Sequence, residues 1–419
     1  MKLEPIVISA ETHRGANAEY GRFLQGDILR LLPTLIEQYE GQVKLIYMDP
    51  PFQTGDKFTM RVRVGEEDWR RGRGSLTLPA FSDTLSREEY YDMMRQVLIG
   101  CKALLRDDGM LFLHVDYRTS ARLRLLLDEV FGEENFLNEI IWAYQTGGRT
   151  RRYFSRKHDV IFFYRKTDRY DFNLEEVMVK PDAPKNNHMK RHVDPDGRVY
   201  RSMKVGGKVY TYYDDDPVAP SDVWNDLSHL QQRDPERTGY DTQKPLSLLI
   251  RIVRCGSRAD ELVFDPFCGS GTALAAAQYT GRRFLGVDQS PLVPNILRRR
   301  LMQFSYEMAL QPSPNAPECD ANLSAGVGFY EIQLNGVQFP EGSLPPSVSQ
   351  WDAIDAWAAG YIVDGAFQCA AEARRSQRAP QLLNRLNVPV YSGQLALAIY
   401  DVMGGQHYYQ IRPSEFNLS

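Results

Sequence analysis

Asp49-Pro50-Pro51-Phe52 follows the apolar run Lys44-Leu45-Ile46-Tyr47-Met48. Such a run reads as a buried strand, and two prolines stop it because neither offers an N–H to a ladder. A carboxylate, a proline carbonyl and an aromatic ring are thereby presented on a stiff turn at a strand's carboxyl end. That is where open α/β sheets keep their ligand sites. Taken alone, the tetrapeptide could equally be a turn whose Asp caps the next element.

A second stretch adds chemistry of its own. In Val263-Phe264-Asp265-Pro266-Phe267-Cys268-Gly269-Ser270-Gly271-Thr272 a strand runs into a glycine turn that opens a helix. Glycines let backbone approach a ligand, and a helix start offers free N–H groups. No Gly-Lys-Ser/Thr follows, so this is not a phosphate loop. Leu274 stands where a dinucleotide fingerprint would have its third Gly or Ala. Asp288 ends the next strand, 17 residues after Gly271, where an acid captures ribose hydroxyls in nucleoside-binding sheets.

The intervening pattern supplies elements to position these groups. A short strand at Gly21–Leu24 and an amphipathic helix with Ile28, Leu31, Leu32 and Leu35 on one face precede the Asp49 strand. Residues 53–85 read as irregular, rich in glycine and arginine. Ser86-Arg87-Glu88-Glu89 is a capping box opening a helix to about Leu105. The strand Met110–Val115, a helix from about Thr119 to Val130, and strands at Glu139–Trp142 and Asp159–Tyr164 follow. The pattern resumes with a helix over about Pro245–Cys255, a strand at Glu261–Phe264, a helix at Thr272–Tyr279 and a strand at Arg283–Val287. Strands alternating with helices mean a mostly parallel, doubly wound α/β sheet.

The 419 residues suffice for two or three domains, and 43% hydrophobic with 25% charged residues describe an ordinary globular protein. No apolar run is long enough to span a bilayer, and the start lacks a signal-peptide pattern, so a cytoplasmic protein without a membrane partner is expected. Five scattered cysteines, without a Cys-x-x-Cys pair, read as reduced, holding neither disulfides nor a metal. The net charge of −4 conceals polarity: residues 141–210 carry 16 Lys+Arg against 8 Asp+Glu, whereas residues 301–419 carry 5 Arg, no Lys and 11 acids.

Together the motifs resemble the DNA amino-methyltransferases. Phe264-Asp265-Pro266-Phe267-Cys268-Gly269-Ser270-Gly271 is similar to their S-adenosylmethionine loop, and Asp49-Pro50-Pro51-Phe52 to their catalytic tetrapeptide. The catalytic motif comes first, as in the circularly permuted β group. Gly26-Asp27, Phe131-Gly132-Glu133-Glu134-Asn135-Phe136, His158-Asp159-Val160-Ile161 and Thr242-Gln243-Lys244-Pro245 add to the match, which covers roughly residues 20–300. The resemblance implies a seven-stranded Rossmann-like sheet, permuted. A catalytic half would span 1–143, an inserted target-recognition region 144–235 with one core strand, a cofactor half 236–310 and an acidic accessory module 311–419.

It also implies roles. Gly269, Ser270 and Gly271, with Phe264, Pro266, Phe267 and Thr272 around them, would pack on the methionine part of S-adenosyl-L-methionine. Asp265 would bind its amino group, Asp288 the ribose hydroxyls and Asp27 the adenine amine; Thr242, Lys244 and Pro245 would line the methionine pocket. Asp49 and the Pro50 carbonyl, stiffened by Pro51, would accept both hydrogens of an exocyclic amine and free its lone pair to take a methyl group. Phe52 would stack on the flipped base. No covalent intermediate is required, so Cys268 reads as packing. Adenine N6 is the expected target. Cytosine N4 is the alternative, a subgroup that more often has Ser where this chain has Asp49.

Double-stranded DNA is the implied partner. Arg149, Arg151, Arg152, Arg156 and Lys157 suit phosphates, and Arg61, Arg63, Arg70 and Arg71 could form a mobile clamp over the flipped base. The acidic module is left to pack on the core, to form a homodimer or to meet a restriction subunit, in which case the chain would be the recognition subunit of such a complex. His114, on an apolar strand, reads as a packed histidine.

Overall fold

The computed structural model describes residues 1–13, 20–144, 150–181 and 189–415. Its central sheet is mixed. Phe136–Ala143 pairs antiparallel with His158–Arg165, which pairs antiparallel with Leu105–Val115. Val43–Met48, Leu262–Asp265, Arg283–Asp288, Gly21–Gln25 and Tyr306–Ala309 then follow in that spatial order, each parallel to its neighbour. All six Val43–Met48 residues are buried, as parallel strands with both faces covered require. Even Lys44 is covered; its Nζ donates to the Asp108 carbonyl at 2.8 Å and carboxylate at 2.9 Å.

Helices cover both faces. Ile28–Tyr39, Arg87–Leu104 and Ser120–Phe131 pack Leu35, Val97, Leu98 and Leu127 on one. Leu246–Gly256, Thr272–Tyr279 and Val293–Arg300 pack Leu248, Ile252, Ala276 and Ile296 on the other. Ser86 caps its helix as a capping box, with Glu89 reaching back to the Ser86 N–H. Helices on both faces of a largely parallel run bear out the α/β reading. No helix of the described residues is long and apolar enough to cross a membrane.

Three regions depart from expectation. Residues 53–85 are ordered: Lys57–Val62 and Leu76–Ser82 form an antiparallel ribbon around the helix Gly65–Arg71. The ribbon is strapped down, because Asp241 accepts from the Thr59 hydroxyl at 2.8 Å and Gly239 accepts from the Arg61 N–H at 3.1 Å. Between 144 and 235 lies a three-stranded sheet whose hairpin joins Val199–Val205 to Lys208–Tyr213 through Gly206-Gly207. Among the described residues beyond 311, the regular elements are strands apart from one short 3₁₀ turn. The alanine-rich residues 351–374 form two antiparallel strands, Ile354–Val363 and Ala366–Arg374.

The first residues belong with this β module, which the sequence reading did not anticipate. Lys2–Ile6 pairs with Glu318–Ala325 and Gln406–Gln410, and Ala10–His13 bridges Tyr306–Ala309 to Ala366–Arg374. A buried cluster pins the seam. Arg298 donates to both Glu11 carboxylate oxygens at 3.0 and 2.7 Å, and the Tyr400 and Tyr408 hydroxyls donate to the same carboxylate at 3.0 and 2.9 Å. Although burial opposes it, the charges of Arg298 and His13 hold the Glu11 carboxyl well below its ordinary range. Glu11→Ala therefore leaves a guanidinium and two hydroxyls buried without their acceptor and should cost about 3–5 kcal/mol. An unchanged urea midpoint for this variant would show that the cluster does not hold the seam.

Candidate active site

Parallel register sets Leu45 beside Val263 and Ile46 beside Phe264. The Asp49 turn and the Asp265 turn thus leave neighbouring strands at one sheet edge, although they lie far apart in sequence. Asp288 and Gly26 join them on the next strands, with the Gly26 N–H donating to the Asp288 carbonyl at 2.9 Å. Pro50 is buried while Asp49, Pro51 and Phe52 keep partial exposure. Asp83, itself buried, fixes the chain just beyond by accepting from the Thr54 N–H at 2.8 Å.

The glycine turn is built on its own acids. The Asp265 carboxylate accepts the Phe267 N–H at 3.0 Å, and Cys268 donates its N–H to the Val287 carbonyl at 3.0 Å. Asp288 accepts the Gly269 and Ser290 N–H groups, each at 2.8 Å. Gly269 and Gly271 adopt φ of 48° and 72°, the left-handed region that favours glycine. A side chain at Gly271 would also run into Leu297. Thr272 then begins its helix, and its hydroxyl donates to the Lys244 carbonyl at 3.2 Å.

Lys244 joins the two turns. Its ammonium forms an ion pair with Asp49 Oδ2 and lies 5.1 Å over the Phe52 ring, so a solvated surface lysine is not what the structure shows. Beneath Phe52, at 6.2 Å, sits His114. Its Nδ1 meets the Tyr47 hydroxyl at 2.9 Å and its Nε2 meets Asp159 at 3.2 Å, while Tyr144 donates to the other Asp159 oxygen at 3.0 Å. His114 is a packed histidine, as expected, and it is also the centre of a polar floor under the aromatic ring.

Burial governs the electrostatics. It pushes the Asp265 carboxyl up strongly; the Phe267 N–H and Lys244 oppose the shift, and the Asp49 and Asp288 charges add to it. Asp288 is pushed up to about 6, again by burial, with the Ser290 and Gly269 N–H groups opposing. The Cys268 thiol is driven up by burial and by both acids, which makes it a poor nucleophile. Asp159 goes the other way: despite burial, the His114 bond and charge and the Lys244 charge hold it below the ordinary range.

Most of the residues singled out from the sequence converge here. Phe264 and Pro266 are buried beneath the turn, Phe267 and Thr242 line it half-exposed, and Pro245 caps the Leu246–Gly256 helix. Ser270 shares a 3.1 Å hydroxyl contact with Thr272. Asp27 stands at the same edge but caps the Ile28–Tyr39 helix, accepting from the Arg30 N–H at 3.2 Å.

The arginines of the expected clamp lie on the Lys57–Ser82 ribbon and its helix. Arg63 lies 4.5 Å over Trp69 and donates to the Gly72 carbonyl, Arg70 and Arg71 pair with Glu66 and Glu67 one turn back while staying exposed, and Arg61 is exposed as well. Arg151 and Arg152 are exposed, Arg156 lies 3.9 Å over Tyr117 just past the Leu105–Val115 strand, and Arg149 falls outside the described residues.

Sequence reasoning missed three supporting groups. Tyr240 underlies Gly269, Arg300 donates to the Ser270 carbonyl at 3.2 Å, and Glu236 pairs with Arg300 at 2.9 Å and accepts the Leu246 N–H at 3.0 Å. None sits in a recognisable motif; only Tyr240, two residues before Thr242, carried a positional hint.

The family profile described as DNA methylase, of the N6/N4 type, matches residues 43–296. The type II methyltransferase M.EcaI of Enterobacter cloacae is 28% identical over 309 residues, 62% of this chain and 64% of that protein, so the chain spans just under two thirds of that relative. The DNA adenine methyltransferase YhdJ of Escherichia coli K12 is 23% identical over 311 residues, 74% of this chain and 92% of that one. Among solved structures, the M1.HpyAVI complex with SAM aligns at a TM-score of 0.42 and 15% identity, covering 67% of this chain and 98% of that chain. The chain belongs to the N6/N4 DNA methylase family.

Proposed function

We propose that this protein methylates the N6 amine of a flipped-out adenine in double-stranded DNA, using S-adenosyl-L-methionine. The observation that carries the reading is the edge itself: Asp49 and the Pro50 carbonyl stand on the strand beside the Asp265–Thr272 turn, with Asp288 one strand further. The donor set fits the cofactor. Each Asp288 oxygen accepts one backbone N–H, leaving a second lone pair on each for a ribose hydroxyl. When bound, S-adenosylmethionine supplies a methyl group on a sulfonium, already activated for transfer. Asp265 and the Gly269–Thr272 turn would hold its methionine part, and Asp27, at the Gly26 corner, its adenine.

An exocyclic amine is a poor nucleophile because its lone pair is delocalised into the ring. Asp49 and the Pro50 carbonyl accept its two hydrogens, which draws the nitrogen toward tetrahedral geometry. Phe52, backed by His114, stacks on the base after it leaves the helix. Holding amine and donor in register supplies most of the acceleration. An aspartate at position 49 favours adenine, since the cytosine-N4 subgroup more often has serine there. The strand order and the early position of Asp49 support the permuted, β-group reading, with seven strands from Gly21–Gln25 to Phe136–Ala143 as the methyltransferase unit.

DNA from a host expressing the chain should carry N6-methyladenine at one sequence, read by modification-sensitive sequencing. Asp49→Ala should abolish the mark while calorimetric cofactor binding survives; N4-methylcytosine instead, or loss of binding, would refute the assignment. The Asp288 carboxyl at about 6 adds a pH dependence. A raised carboxyl value leaves the acceptor protonated on the acid side, so affinity is full above pH 6 and falls about tenfold per unit below it. Calorimetry at pH 5 and 7.5 measures this, and Asp288→Asn should flatten it; a flat wild-type profile would remove Asp288 from ribose binding. For DNA, Arg151 and Arg152 are the exposed cations beside the Arg156–Tyr117 stack. Replacing both with alanine should lower the slope of log affinity against log salt by about two, and an unchanged slope would exclude them from phosphate contact.

A further inference from the structure

The Lys244 ammonium occupies the acceptor that the reaction needs. It pairs with Asp49 Oδ2, and the two side chains are only 11% and 17% exposed. A target amine that donates to Asp49 therefore shares the carboxylate with a charged donor, or displaces it, in a largely desolvated site, where an ion pair is strongest. Drawing the lysine off restores the full acceptor strength of the carboxylate.

Geometry makes Lys244 able to move and limits where it can go. Its backbone is fixed at both sides: Thr272, the first residue of the helix after the glycine turn, holds its carbonyl, and Pro245 caps the next helix. Its side chain is a single point charge on a flexible four-carbon stem with rotatable donors, unlike a planar guanidinium. The same charge is felt by Asp265 on the cofactor turn and by Asp159 in the floor. Lys244 thus stands between the catalytic turn and the cofactor cleft, within electrostatic reach of both.

We infer that Lys244 is a positioning residue shared between Asp49 and the carboxylate end of the cofactor, so that filling the cofactor cleft frees Asp49 for the target amine. The inference rests on the cofactor assigned above. It makes the order of binding a consequence of charge: the cofactor's carboxylate competes for the ammonium, Asp49 is released, and the amine finds an open acceptor. An empty cleft leaves Asp49 masked, so a base does not settle where no methyl donor waits.

The test is a double-mutant cycle on the full chain, read by calorimetry without DNA. The probes are S-adenosylhomocysteine, which keeps the carboxylate, and 5′-methylthioadenosine, which lacks the amino-acid end. Asp49→Asn removes the competitor and should tighten S-adenosylhomocysteine binding about tenfold, an ordinary coupling between sites. Lys244→Met should weaken it about tenfold, and Asp49→Asn added to Lys244→Met should change nothing further. Methylthioadenosine should respond to none of these, which separates the role from a general disturbance of the cleft. Equal effects of Asp49→Asn in both lysine and methionine backgrounds, or equal effects on both nucleosides, would overturn the inference while leaving the cofactor assignment standing. If the wild-type chain binds neither nucleoside, that assignment falls and the inference with it.

Discussion

Parallel pairing of Val43–Met48 with Leu262–Asp265 is the constraint on which the site depends. Both strands are buried on both faces, and a shift of one residue in either would turn every side chain to the opposite layer. The register is therefore held by the two helical layers rather than by the polar groups at the edge. The site inherits its precision from that packing. Asp49 and Asp265 are close because Ile46 and Phe264 are neighbours in the sheet, and the prolines that follow them, Pro50-Pro51 and Pro266, end the two strands at that edge.

Bringing those strands together crowds acids, and the fold answers each one differently. Asp288 is held by two backbone N–H groups and Asp49 by an ammonium, whereas Asp265 has one N–H against deep burial. A carboxylate that gains fewer donors than burial removes drifts toward its protonated form. The three acids thus have different surroundings although they share an edge. Lys244 is the adjustable member of this set, since its four-carbon stem can redistribute charge without moving backbone.

What was legible in the sequence was local. The strand before Asp49, the capping box at Ser86 and the Thr272–Tyr279 helix are each set by neighbours within a few residues, and they stand where the sequence puts them. The Lys57–Ser82 ribbon was hidden because Pro79 argues against a strand; the ladder accommodates it beside a register shift at Phe58/Thr59. The alanines of Ile354–Val363 suggest a helix, but both faces of that strand are covered, and Gly360 lies tight against the Gln368 carbonyl, where a larger residue would not fit. The partners of Lys2–Ile6 lie some three hundred residues onward, and the ion pair of Lys244 spans 195 residues. No pattern within a window reports such pairings. The family motifs placed Lys244 at the cofactor; only the fold shows it at Asp49.

Arg298-Arg299-Arg300 shows how far composition can mislead and how the modules are joined. Three consecutive arginines suggest a surface for phosphates. On the Val293–Arg300 helix, however, successive side chains point about 100° apart, and each is committed to a different neighbour. Arg298 is fully buried against Glu11 at the seam of the β module. Arg299 pairs with Asp355 and lies 4.4 Å over Trp69, tying the module to the Lys57–Ser82 ribbon. Arg300 turns the other way, to the Ser270 carbonyl and Glu236 under the glycine turn. One short helix therefore carries a rigid connection from the accessory β sheet to the backbone of the glycine turn. Because buried ion pairs hold by geometry more than by net energy, a displacement of the module cannot be absorbed at Arg298 without tilting the helix that also holds Ser270. The acidic module is in this sense part of the methyltransferase frame.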